Sequence, residues 1–221
     1  MDTIRQLRPS KRLKFDSTVK LAYDGNSLMY GHGASVGGGT PIPNKLATMA
    51  PFSACAWGNV AISGQTWAQM TSAATDVDAL FDATKATNVL AVWETTNSVY
   101  GYAKTAAQCQ ADLTAYVAAR LAAHPTWKIL ILGTIPRRCP WDEVQVQVDD
   151  WCAANYRAIG AQGFCRLRVP NSPFNHTGEI DKPFVTNQAL WLETAEWVHL
   201  TGAGYAALTP YVARGLLDLP A

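Results

Sequence analysis

The chain is poor in charge, has no long apolar run and has no cysteine pair at metal spacing. Charged residues make up 16% of its 221 residues, and the formal net charge is +1. No excess of either sign points to nucleic acid or to an anionic membrane surface. No apolar run approaches the roughly 18 residues that a membrane span needs. The start of the chain, "MDTIRQLRPSKRLKF", is basic without an apolar centre, which argues against a secretory signal. Cys55, Cys109, Cys139, Cys152 and Cys165 show no CxxC and no histidine-paired spacing, which argues against a zinc site. Their odd number and apolar surroundings fit buried free thiols in a reducing compartment. Repeats and linkers are also missing. One domain over residues 18–221 is therefore expected, preceded by an extension over residues 1–17 that is solvated or loosely docked.

What is present is 48% hydrophobic residues, enough for a real core in a domain of this size. Short, near-continuous apolar runs alternate with longer patterns of helical period. The runs "VKLAY", "ACAWGNVAI", "NVLAVW", "KILILGTI" and "FCRLRV" predict five strands covered on both faces. Trp57 and Trp93 fall inside such runs and are expected in the core. Between the runs, apolar residues recur at steps of three and four over residues 65–84, 103–123 and 141–160, and again from Tyr205 to Leu216. This alternation predicts an α/β fold of three layers, α/β/α, with a five-stranded parallel sheet of flavodoxin-like order. Sites in such folds lie beyond the carboxyl ends of the strands, where the strand order reverses.

Four segments converge there. Gly25-Asn26-Ser27 follows the first strand, and "NVAISGQT" follows the second. "ETTNS" follows the third, and "EWVHLTGAGY" precedes the last helix. Acyl transfer needs a hydroxyl nucleophile, a base, a group to orient that base, and donors for the oxyanion. Ser27 can supply the hydroxyl and His199 the base. Glu196, three residues before His199, can orient it. Gly64 can offer a backbone N–H at a helix start, and Asn97 a side-chain N–H. Three other histidines compete as base. His32 sits in a glycine loop near Ser27 and is a candidate for touching substrate. His124 ends a helix, and His176 lies in the polar loop at residues 171–187. Only His199 combines an acidic neighbour with a following helix. Arg137, Arg138 and Trp141 follow the fourth strand on the same rim. Arg137 is a candidate for a polar substrate and Trp141 for a sugar face, against the alternative of an ordinary loop.

In these blocks, over about residues 20–217, the chain resembles the SGNH hydrolases, also called the GDSL esterase/lipase family. The resemblance implies Ser27 as nucleophile, Gly64 and Asn97 as oxyanion donors, and His199 as base. The family pattern reads Gly-Asp-Ser, Gly-x-Asn-Asp and Asp-x-x-His. Here those places hold Gly25-Asn26-Ser27, Thr95-Thr96-Asn97-Ser98 and Glu196 with His199. Glu193, or a Ser–His pair helped by a backbone carbonyl, are the alternatives to Glu196. The resemblance implies a serine esterase with no cofactor and no metal. With no lid-like apolar segment, a short acyl group is favoured, acetyl above all, on a carbohydrate. A short-chain lipase or thioesterase remains open. So does a non-catalytic carbohydrate-binding module. No nucleic-acid or membrane partner is expected. The basic arm fits a component of a larger assembly, so the expected setting is the cytoplasm or a virion-like particle.

Overall fold

The structure is a computed structural model that describes residues 11–137, 142–175, 187–192 and 198–221. Its centre is a five-stranded, wholly parallel sheet. The strands are β1 (Val19–Gly25), β2 (Ala56–Asn59), β3 (Thr87–Trp93), β4 (Trp127–Leu132) and β5 (Gly163–Cys165). Their spatial order is β2-β1-β3-β4-β5. The expected α/β fold and strand order are therefore both present, and the ends of β1, β2 and β3 lie side by side.

Period-two alternation along the strands divides the core. Leu21, Tyr23, Val89, Ala91, Trp93, Leu130 and Leu132 face one apolar cluster, closed by the C-terminal helix Gly202–Leu217. Ala22, Leu90, Val92, Ile129 and Ile131 face the other. Among the described residues, the α-helices that precede β5 are α1 (Ser27–Tyr30), α2 (Ile42–Leu46), α3 (Trp67–Ser72), α4 (Ala74–Asp78), α5 (Thr96–Tyr100), α6 (Ala106–Ala123) and α7 (Asp142–Asn155), and α3, α6 and α7 cover that second cluster. Two helix starts carry the same chemistry. Thr66 with Gln69 and Thr105 with Gln108 each form a capping box, worth about 1 kcal/mol per cap.

Three sequence expectations are corrected. The single helix expected over 65–84 is two short ones, α3 and Ala74–Asp78. The Thr71 and Ser72 hydroxyls donate to the carbonyls of Trp67 and Ala68, the back-bonding that bends helices. Trp57 is 38% exposed because β2 is an edge strand. The last strand ends at Cys165. Beyond it, Arg168 leaves the sheet to pair with Asp142. Within the expected extension, the Leu13 N–H donates to the Leu219 carbonyl, and Phe15 joins the core. Cys55, Cys109, Cys152 and Cys165 are free and buried, as expected, while Cys139 lies outside the described residues. Burial pushes the thiols of Cys109, Cys152 and Cys165 up to about 12, so none is poised as a nucleophile. Among the described residues, no helix is long and apolar enough to cross a membrane.

Candidate active site

β1 ends where the chain has no room for a side chain. A Cβ on Gly25 would lie 2.4 Å from the Trp93 carbonyl oxygen, so glycine lets β1 and β3 stay close. The Asn26 N–H donates to that carbonyl at 3.1 Å. Asn26 then caps the four-residue helix Ser27–Tyr30, its Oδ1 accepting from the Leu28 N–H at 2.9 Å. Ser27 is thus the first residue of a helix held rigidly at the end of a central strand.

His199 comes from the other end of the sequence. The Leu192 N–H donates to the His199 carbonyl at 2.9 Å, and Trp191 pairs with Leu200 in an antiparallel bridge. Two residues later Thr201 caps the C-terminal helix. This framework sets the His199 Nε2 at 2.9 Å from the Ser27 Oγ. The distance suits proton transfer between hydroxyl and imidazole. His32 is also near, with its ring centroid 4.3 Å from that of His199.

The remaining loops are tied to this pair. The Ile62 N–H donates to the Gly25 carbonyl at 3.0 Å, which draws the segment after β2 over the nucleophile turn. Gly64 has φ +88° and faces open space, with no atom within 4 Å of where a Cβ would stand. Asn97 Nδ2 donates to the Gln65 carbonyl at 2.9 Å. A carboxamide carries two N–H groups, so this bond orients Asn97 and leaves a second donor.

Not every expected residue joins the group. Arg137 is 1% exposed, and its guanidinium carbon lies 4.0 Å from the centroid of the Tyr100 ring. A ligand on this rim would meet Tyr100 before Arg137. His124 stacks on Phe81 at 4.1 Å, well apart from the serine. Arg138, Trp141, His176, Glu193 and Glu196 lie outside the described residues.

Two buried carboxylates beside the site were not singled out from the sequence. Asp24 accepts from the Tyr116 hydroxyl at 2.6 Å and from the Gly25 N–H at 2.8 Å. Burial nevertheless raises its pKa to about 6. Glu94, the residue after β3, is 1% exposed, and burial raises its pKa as well. The available signal was position alone: each is an acid inside or just after an otherwise apolar strand.

No family model and no curated protein matches the sequence. Solved structures do match. A member of the lipolytic G-D-S-L family from Veillonella parvula superposes with TM-score 0.68 at 13% identity, covering 89% of this chain and 97% of that one. An acetylxylan esterase from Geobacillus stearothermophilus gives TM-score 0.66 at 18% identity, covering 92% and 96%. A family 3 carbohydrate esterase from Clostridium thermocellum gives 0.63 at 15% identity, covering 90% and 95%. The fold is that of the SGNH hydrolases. On this SGNH scaffold Thr95 stands where the family pattern has glycine, and it takes φ +106°. A threonine in that region is strained and persists only if its surroundings hold it there.

Proposed function

We propose that the chain is a serine esterase that hydrolyses short-acyl esters, O-acetyl groups on a carbohydrate in particular. The observation that carries this reading is the 2.9 Å contact between His199 Nε2 and Ser27 Oγ at the switch point of the sheet. His199 takes the hydroxyl proton as Ser27 Oγ bonds to the ester carbonyl carbon. The carbonyl oxygen becomes an oxyanion, which the N–H groups of Ser27 and Gly64 and the free hydrogen of Asn97 Nδ2 receive. The bond to the alcohol then breaks, and His199 returns its proton to the leaving oxygen. Water, deprotonated by His199, releases the acid and restores Ser27. Glu196 is assigned the orienting of His199.

The acetyl-carbohydrate preference draws on the names of two of the similar structures, an acetylxylan esterase and a carbohydrate esterase. It draws also on the rim. Tyr30, Ile62, Tyr100 and Tyr102 are exposed on segments that follow β1, β2 and β3. Tyrosine faces suit the apolar faces of sugar rings. His32 is assigned to touching substrate, Trp141 to stacking on a sugar face, and Arg137 to acting on the substrate through Tyr100. The test is a panel of p-nitrophenyl esters of increasing chain length beside acetylated xylo-oligosaccharides. Acetyl release from the sugars and a steep fall beyond butyrate are expected. A preference for long acyl chains would overturn the substrate assignment.

A further inference from the structure

Residues 91–99 run from the end of β3 into the short helix Thr96–Tyr100. Every one of them is buried except Asn97, which is half-buried. The turn thus withdraws its backbone and presents a single side chain. A turn of this kind is expected to need a strong internal anchor, because Thr95 within it has φ +106°.

Glu94 is that anchor. Its Oε1 accepts from the Asn97 N–H at 2.8 Å and from the Ser98 N–H at 3.1 Å. Its Oε2 accepts from the Ser98 hydroxyl at 2.8 Å and from the Trp67 N–H at 3.3 Å. Four donors converge on two oxygens, the pattern that an acceptor-only carboxylate satisfies and an amide does not. The bond to Trp67 also joins the turn to α3, which begins just after Gly64 and Gln65. Gln65 is the residue whose carbonyl holds Asn97 Nδ2. From the opposite side, the Thr96 hydroxyl donates to Gln145 Oε1 on α7 at 3.0 Å.

We infer that Glu94 is a positioning residue for the oxyanion hole: its buried carboxylate fixes the backbone of Asn97 and ties the turn to the segment bearing Gly64. The inference rests on the esterase reading for its kinetic consequence but not for its geometry. Glu94 touches no substrate. Its effect passes through Asn97, which acts where charge develops, so kcat is the parameter it controls.

The variant is Glu94→Gln, which keeps Oε1 and places an N–H donor against the Trp67 N–H. On p-nitrophenyl acetate the expected result is a fall in kcat of about tenfold or more, with KM within about threefold of the parent. Activity is scaled to the folded fraction measured by circular dichroism at the assay temperature. Adding Thr95→Gly, which makes φ +106° an ordinary conformation, restores part of kcat. A merely destabilised protein would regain folded fraction but not kcat per folded molecule. The second readout needs no activity. In 15N-resolved NMR spectra, the Asn97 side-chain amide pair of Glu94→Gln is expected to shift or broaden against the parent. An unchanged kcat per folded molecule overturns the inference, and so do Asn97 signals that coincide with the parent's. If the parent hydrolyses no ester in the panel, the esterase reading falls. The amide signals then still decide whether Glu94 holds Asn97.

Discussion

Among the described residues, buried charge gathers at two places on the carboxyl-end rim of the sheet, and the two are built differently. Beyond β4 and β5, Arg168 forms a two-pronged pair with Asp142 at 2.7 Å on each prong. Two further donors go to the Thr134 hydroxyl and the Ile135 carbonyl, while Asp149 accepts from the Thr134 N–H and hydroxyl. The guanidinium of Arg168 and the carboxylates of Asp142 and Asp149 are thus each answered by other groups of the protein. Beyond β1, β2 and β3, the arrangement among the described residues stops short of closure. Ser27 faces His199, Asn97 keeps a donor, and Gly64 looks onto open space. Buried charge alone therefore does not mark a site on this fold. The second place differs in that Asn97 and Gly64 keep N–H donors that no other described residue takes up.

Substitutions on the two sides should separate activity from stability. The largest effect is expected for Ser27→Ala. Loss of such a nucleophile costs on the order of 10⁶ in kcat. Its thermal midpoint should stay within about 2 °C of the parent, since a hydroxyl of this kind contributes little to stability. Steady-state hydrolysis of p-nitrophenyl acetate and a thermal melt check both halves.

Arg168→Ala should do the opposite. It leaves Asp142 and Asp149 buried without their partner, which costs about 3–5 kcal/mol in such pairs. Urea unfolding should report that loss, while turnover per folded molecule stays near the parent value. Asn97→Ala comes next, with a fall of about 10²–10³ in kcat and a smaller change in KM. An unchanged kcat would remove Asn97 from the oxyanion hole.

The smallest effect concerns Asp24, which has elements of both regions. Its carboxyl titrates at about 6 in the fold, against about 3.9 in an unfolded chain. The folded state keeps the proton longer, so ionisation favours unfolding as pH rises. The penalty is absent below about pH 4, grows through the window, and is complete above about pH 6, at up to about 3 kcal/mol. Asp24→Asn escapes it. Between pH 4.5 and 7.5 the variant's thermal midpoint should gain on the parent's; parallel curves would contradict the burial argument.

The sequence made the fold legible because covered parallel strands leave continuous apolar runs, and these alternate with helical periods. It also brought Ser27, Gly64, Asn97 and His199 to one rim, since the strand order puts β1 between β2 and β3. What it did not convey came from contacts far apart in the chain. Trp57 is an apolar residue in an apolar run, yet only the sheet's edge decides its exposure. Arg168 leaves its strand for Asp142, 26 residues away in sequence. Glu94 read as the first letter of a loop, while its role depends on Trp67 approaching from another helix. Local pattern reports which face a residue prefers, and it carries little about which distant partner meets it there.

The central claim is that Ser27, activated by His199, is a nucleophile. It is tested most directly by mass spectrometry after treatment with a fluorophosphonate probe. One covalent adduct, mapped to the peptide bearing Ser27 and lost in Ser27→Ala, is the predicted result. An unmodified protein, or an adduct on another residue, would contradict the account.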